Sequence, residues 1–404
     1  KSLGIIGDWD NPYLTLKFKF EADIYRVLCN IAKKGLLIER SKPVFWSWAA
    51  KSALAEAEVE YKDKEDYSIY VAFKLSDEAN AKIGANGAKA VIWTTTPWTL
   101  PSNMFLAVGA EIDYVTVYDP ESQEYYVMAE NLLKKYYKSP DQYKFIYKQK
   151  GKELKNLTYQ PLFDYIPNSK IPTEYKSQFF QILNGDFVST EDGTGIVHTA
   201  PSFGEDDFNA VANLLGGESS KEWLFMPVDE YGCFTSEVPD YQGMKVMESN
   251  KPITEHLKAN QKIVKTESLV HSYPHCRRCK TPLIYKAMSS RFIKEKEMNA
   301  QTASQAGEIK FIPETVKNRF VNGLQQAPDW NVARNRYRGS PLPIWQNVEN
   351  PEDRFVINTL DELYHLTTSG SKNLTKNVFI RHGRTDFNEE KKFDSLGDAR
   401  LNEL

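Results

Sequence analysis

The sequence has little cysteine, no apolar run approaching the roughly 18 residues needed to cross a bilayer, no low-complexity tract and almost no net charge. Each shortage removes a class of protein. Four cysteines in 404 residues are too few for a disulfide framework, and Cys29 and Cys233 stand alone, so a reducing compartment is expected. The opening residues KSLGIIGDWD carry neither the apolar core nor the small-residue cleavage site of a secretory signal. With no spanning segment, the chain reads as soluble and cytoplasmic. A formal charge of −3 gives no protein-wide field to attract a polyanion, so any nucleic-acid contact must rest on local basic patches. No repeat is present, which argues against a solenoid.

What is present suits a large, ordinary core: 41% hydrophobic residues over a length that normally makes two to four domains. The spacing of Ile24, Val27, Leu28, Ile31 and Leu36 predicts a helix from Glu21 to Ile38, with Gly35 near its stop. A second helical stretch is expected around Ser52 to Glu60. Between about Tyr67 and Gly243 the texture becomes short apolar strands separated by Gly, Pro, Asn and Asp, which predicts a β-rich domain with a few helices. Beyond it come a helix near Asn250 to Ala259, a strand with a cysteine-containing turn, a helix near Glu314 to Leu324, the proline-rich GSPLPIW, and a strand running into a loop at NVFIRHGRTDFN.

Two segments carry chemistry. Thr94-Thr95-Thr96-Pro97-Trp98-Thr99-Leu100-Pro101-Ser102-Asn103 follows an apolar run. Three adjacent hydroxyls at a strand end supply uncharged donors and acceptors that suit a water and an ester oxygen, although hydroxyls also gather at plain turns. Gly193-Thr194-Gly195-Ile196-Val197-His198-Thr199-Ala200-Pro201-Ser202-Phe203-Gly204-Glu205-Asp206-Asp207 reads as a strand carrying His198, a small-residue loop, and a helix starting near Asp206 or Asp207. There a carboxylate can cap the helix, or hold a substrate ammonium while His198 lines a pocket. No Ser-His-Asp or Cys-His grouping and no metal box is visible.

The two segments together resemble the signature segments of the editing domain of isoleucyl-tRNA synthetases. The resemblance continues in GDWDNPYLT, KPVFW, ALAEAEVEY, HSYPHCRRCKTPLIYKA and ARNRYRGSPLPIW, covering roughly residues 1 to 368 in order. The related valyl and leucyl enzymes are expected to carry an Arg after the first two threonines, where Thr96 stands here. The resemblance implies an α/β fold with a β-rich, barrel-like editing domain inserted in a partial Rossmann-like catalytic domain. Its parts would be residues 1–62 leading in, 63–265 the editing domain, 266–370 the return, and 371–404 something else. It implies an isoleucine–tRNA ligase whose editing domain hydrolyses valine mistakenly joined to tRNA(Ile). Thr94, Thr95, Thr96 and Thr99 would line the hydrolytic pocket near the terminal adenosine, with Trp98 and Asn103 in the same wall. His198 would shape the side-chain pocket, a role preferred to that of general base. Asp207, with Asp206 beside it, would bind the ammonium. A second pocket is needed because one methylene is worth only about 1–3 kcal/mol, a range for which this enzyme family is itself the usual example.

ATP and magnesium are implied for the full synthetase, but neither its HIGH-like nor its KMSKS-like motif stands in these residues, so this stretch is not expected to activate isoleucine. No cofactor is expected in this stretch. Zinc is not expected: Cys276-Arg277-Arg278-Cys279, near His271 and His275, supplies one cysteine pair, and the segment where relatives can carry another reads Trp46-Ser47-Trp48-Ala49-Ala50. Lys134-Lys135-Tyr136-Tyr137-Lys138 and Arg334-Asn335-Arg336-Tyr337-Arg338 interleave charge with aromatics, as a tRNA-tracking surface or a solvated helix face would. From about Asn373, Phe379-Ile380-Arg381-His382-Gly383-Arg384-Thr385-Asp386-Phe387-Asn388, followed by Gly397-Asp398-Ala399-Arg400-Leu401, resembles the start of a histidine phosphatase or phosphoglycerate mutase domain over 371–404, in which His382 would take the phosphoryl group and Arg381 would clamp it. The later residues of that family's pattern do not follow, so no phosphatase activity is expected. The expected partners are tRNA(Ile), isoleucine and valine as esters, and no membrane.

Overall fold

The computed structural model describes residues 4, 6–15, 17–217, 220–333, 344–347, 354–357 and 377–379. By contact the chain divides into two units, Arg40–Ser289 and the pair Lys1–Glu39 with Ser290–Leu404. Strand β1 (Leu37–Ser47) leads into the first unit and pairs with the short β2 (Ser52–Ala53). There follow β3 (Val59–Lys74), β4 (Lys89–Thr94), β5 (Phe105–Val108), β6 (Asp113–Asp119), β7 (Glu124–Ala129), β8 (Lys144–Lys150), β9 (Ile182–Asn184), β10 (Ile196–Thr199) and β11 (Ile263–Cys276). Six of them form a sheet in the order β11-β3-β4-β7-β6-β8, and three form another, β10-β5-β9.

Period-2 alternation explains why the central part of the larger sheet, the second half of β3 with β4, β6 and β7, is buried on both faces. Ile69, Val71 and Phe73 of β3, Ala90 and Ile92 of β4, and Val127 and Ala129 of β7 enter the main core. Their neighbours Tyr70, Ala72, Val91, Tyr126 and Met128 face a second cluster closed by Leu133 and Tyr137. Each fully buried side chain of this size stabilises by roughly 1.5–3 kcal/mol, so neither face is dispensable.

The architecture is the mixed α/β one expected, but the barrel-like closure is corrected. Among the described residues the edge strands β8 and β11 do not pair with each other, and the sheet stays open. The reason lies in β3 and β11, which stay paired as a ribbon from Ile263↔Val71 out to Cys276↔Val59. Along that ribbon β11 pairs with β3 alone, and closure would need a second, stagger-matched pairing with β8.

The helix expected around Ser52 to Glu60 is also corrected. Ser52 and Ala53 pair with Ser47 and Trp46, only a single 3-10 turn forms at Glu56–Glu58, and Val59 already belongs to β3. Strand pairing here overrides the helical propensity of Ala and Glu. Other elements fall close to expectation, with helices at Val246–Ala259 and Val316–Gln325.

In the other unit the first helix spans Phe18–Lys33 and stops before Gly35, whose φ of 72° breaks the helical path and sends Leu36 to Ile38 out of it. Arg291 and Glu39 form a 2.9 Å ion pair there. Three short strands, Ile344–Asn347, Arg354–Val356 and Asn377–Phe379, pair antiparallel. Among the described residues no helix is long and apolar enough to cross a membrane.

Candidate active site

The threonine segment sits where β4 leaves its sheet. Thr94 is the last residue of the strand, and Pro97 opens a 3-10 turn, Pro97–Ser102, with its ring already at the required φ. That turn folds the hydroxyls back on one another. Thr94 Oγ1 accepts from the backbone N–H of Thr96 at 3.0 Å and lies 3.2 Å from Thr96 Oγ1, which is 3.5 Å from Thr99 Oγ1. Thr95 is half-buried beside them. Trp98 is buried edge-on to Phe203, and its backbone N–H donates to Asn250 Oδ1 at 3.0 Å.

The second segment reaches the same place through β10, which pairs antiparallel with β5 so that His198 lies opposite Leu106. Both ring nitrogens are occupied. Asn103 donates through Nδ2 to His198 Nδ1 at 2.9 Å, and Nε2 lies 3.0 Å from Thr99 Oγ1. The Thr99 hydroxyl donates to the Thr96 carbonyl at 2.9 Å, so its lone pair receives the Nε2 proton. Burial holds the imidazole down at about 3, which makes it neutral at any working pH.

Asp207 lies in the first turn of the helix Glu205–Leu215, and its carboxylate accepts from the Ala200 backbone N–H at 2.9 Å, two residues beyond His198. Gly204 gives it room, since a Cβ there would stand 2.7 Å from Asp207 Oδ2. Burial raises the carboxyl to about 6; the Ala200 hydrogen bond opposes that and the charge of Asp206 adds to it. Among the described residues no cation lies within ion-pair distance of Asp207, whereas Glu205 pairs with Lys42 at 2.5 Å. Asp206 is exposed. The fold thus brings Thr94, Thr96, Thr99, Asn103 and His198 into one bonded group, with Asp207 anchored to the strand end that follows. Hydroxyls, a neutral ring and a carboxylate with no cation beside it among the described residues can position a neutral polar ester whose other end is cationic.

Sequence reasoning missed Tyr159, whose buried hydroxyl donates to Asn103 Oδ1 at 2.7 Å. It missed Asn250 as well. Nothing local marks either residue, although a buried tyrosine hydroxyl generally needs a partner. Ser102 Oγ, Thr199 Oγ1 and Trp98 Nε1 are buried beside this group with no hydrogen-bond partner among the described residues.

At the cysteine turn, Cys276 is buried and Cys279 exposed. Burial pushes the Cys279 thiol up, but hydrogen bonds to Thr281, Cys276 and Ser47 outweigh it and bring it to about 7. His271 Nε2 lies 2.9 Å from Asp66, and His275 Nδ1 lies 2.8 Å from the Tyr273 carbonyl. Among the described residues no three metal-ligating side chains cluster. In the Lys134 to Lys138 stretch Tyr137 is buried and Tyr136 packs against the second core cluster, leaving the lysines outside. The Arg334 to Arg338 stretch, Arg381 and His382 lie outside the described residues.

The model of the family "tRNA synthetases class I (I, L, M and V)" matches residues 1–394. The isoleucine–tRNA ligase of Campylobacter hominis is 43% identical over 385 residues, covering 91% of this chain and 39% of that protein. That of Nautilia profundicola is 40% identical over 382 residues, covering 90% and 39%, and that of Sulfurimonas denitrificans 41% over 366 residues, covering 86% and 37%. The chain therefore spans about two fifths of the length of the curated relatives it matches. Among solved structures, the editing domain of the P. knowlesi cytosolic leucyl-tRNA synthetase matches with a TM-score of 0.36 at 14% identity, over 52% of this chain and 97% of that one.

Proposed function

Because the chain belongs to the class I tRNA synthetases of the isoleucine, leucine, methionine and valine group, we propose that it is part of an isoleucine–tRNA ligase. Its residues 63–265 form the editing domain, which hydrolyses valine misattached to tRNA(Ile); residues 1–62 and 266–370 are the flanking parts of the catalytic domain. One observation carries the reading: a neutral, fully bonded histidine joins a row of threonine hydroxyls, and a carboxylate with no cationic partner among the described residues is tied to the chain two residues beyond it.

In this reading Asp207 holds the α-ammonium of the valyl group, a charge-assisted contact that fixes the ester against the threonine wall. Thr94, Thr95, Thr96 and Thr99 orient the terminal ribose and the attacking water, with Trp98 and Asn103 behind them. Water adds to the ester carbonyl carbon, the bond to the ribose oxygen breaks, and the proton lost by water ends on that oxygen. His198 takes no proton: a base should titrate near the working pH, and burial holds this one at about 3. It shapes the side-chain pocket. The ribose hydroxyl next to the ester is the better candidate to polarise the water.

The longer enzyme would charge tRNA(Ile) in the cytoplasm using ATP and magnesium. Neither nucleotide-binding signature stands in these residues, so no step here runs through either.

Hydrolysis of Val-tRNA(Ile) and Ile-tRNA(Ile) by the purified chain tests the reading, with Asp207→Ala as control. Preferential cleavage of the valyl ester, lost in the variant by a hundredfold or more for a contact worth about 3 kcal/mol, is the expected result. A folded chain that cleaves neither ester sinks it. The histidine phosphatase resemblance remains a second reading for residues 371–404, motivated by Arg381-His382-Gly383. Phosphohistidine at His382 after incubation with a phosphomonoester would support it. Without that signal the segment is left to the synthetase, whose family model runs to residue 394.

A further inference from the structure

The hydrogen bonds around His198 share one direction. The Tyr159 hydroxyl donates to Asn103 Oδ1 at 2.7 Å. Asn103 Nδ2 donates to His198 Nδ1 at 2.9 Å and to the Phe105 carbonyl at 2.9 Å. Nε2–H then meets Thr99 Oγ1 at 3.0 Å, and Thr99 donates to the Thr96 carbonyl at 2.9 Å. Apart from the side branch to Phe105, every donor points from Tyr159 towards the threonine wall, and bonds aligned in this way strengthen one another.

The sense of such a chain is set at its ends. A neutral imidazole can carry its proton on either nitrogen, and a primary amide can present either its oxygen or its nitrogen. If Asn103 turned over, its oxygen would face both Nδ1 and the Phe105 carbonyl. The proton would then have to move to Nδ1, Thr99 would have to donate to Nε2, and the Thr96 carbonyl would lose its donor. The Phe105 carbonyl, which can only accept, opposes that alternative, and the Tyr159 hydroxyl adds to the same preference by donating to Oδ1. Tyr159 cannot withdraw, because its ring is packed edge-on against Phe73 and Phe180, with centroids at 5.3 and 6.1 Å, and only 4% of the residue is exposed.

We infer that Tyr159 is a positioning residue of the hydrolytic site: together with the Phe105 carbonyl it fixes the amide of Asn103, and by donating to Oδ1 it keeps the His198 proton on Nε2 and so holds Thr99 and Thr96 in their working orientation. Its effect on hydrolysis rests on the deacylase reading above; its effect on the imidazole does not.

The test uses the full chain and Tyr159→Phe, which keeps the ring and removes only the hydroxyl. Nitrogen-15 NMR of the His198 imidazole, assigned with His198→Gln, reports which nitrogen carries the proton. The unsubstituted chain should show a protonated Nε2 and a bare Nδ1. Asn103→Asp, which can accept from Tyr159 but cannot donate to Nδ1, should move the proton to Nδ1 and so calibrates the shift. In Tyr159→Phe the two nitrogens should move towards averaged shifts, and valyl-ester turnover should fall about tenfold in kcat, with a smaller change in KM. An unchanged nitrogen pattern in Tyr159→Phe overturns the inference even if turnover falls. A changed pattern in a chain that never cleaves the ester supports the positioning role and removes the deacylase reading instead.

Discussion

Asp207 is raised to about 6, by burial first and by Asp206 as well, and only the Ala200 N–H offsets this. Its folded value lies above its unfolded one, so the carboxyl contributes stability that is complete below pH 4 and lost as pH rises through about 6. At pH 8 the ionised group therefore costs the fold about 1–3 kcal/mol, with some allowance for solvent. Asp207→Asn should unfold at higher urea concentration than the parent at pH 8 and at the same concentration at pH 4, while losing valyl-ester hydrolysis. If the variant is less stable at pH 8, the assigned burial is wrong. On the proposed deacylase reading, the same titration predicts that hydrolysis by the parent declines as pH falls below about 6, when the ammonium would lose its counter-charge, with no inflection from His198. The threonines, His198 and Asp207 could be named as candidates from the sequence because they stand in its two motifs, and the fold joins Thr94, Thr96 and Thr99 to His198. The state of the imidazole could not, because it is set by Asn103, Thr99 and a tyrosine distant in sequence.

The element that delivers His198 is the turn Gly193-Thr194-Gly195. Gly195 has a φ of 75°, and a Cβ there would stand 2.5 Å from the Cβ of Ala129, while the Tyr114 hydroxyl donates to its carbonyl at 2.6 Å. Gly195→Ala should destabilise by about 2–4 kcal/mol through strained backbone and overlap together. Adding Ala129→Gly should recover part of that loss, the overlap and not the φ, as a urea double-mutant cycle would show. Full additivity of the two substitutions would mean that the contact does not exist. At this scale the sequence was readable where alternation was long, as in the strands around Tyr70 and Val91. It misled at Ser52 to Glu60, where alanine and glutamate suggest a helix but Ser52 and Ala53 are held by Trp46 and Ser47. Local propensity cannot register a partner strand.

For the molecule as a whole, both the sheet order and the open edges of the larger sheet among the described residues depend on pairings between distant segments, which no local pattern encodes. Residues 40–289 make one compact unit, so that stretch expressed alone should unfold in a single cooperative urea transition and retain the ester preference. Broad, probe-dependent unfolding would show that the flanking residues are needed. The β3–β11 ribbon bears on where such a unit can reside. Val59 and Cys276 are cross-strand neighbours, and such pairs hold their Cα atoms about 5 Å apart. The closure entropy of the more than two hundred residues between them, on the order of 4–5 kcal/mol, is met inside the ribbon. To the polypeptide on either side the whole excursion is geometrically no longer than a hairpin. A module bounded in this way is portable, able to be grafted at a surface turn of another protein without stretching its host.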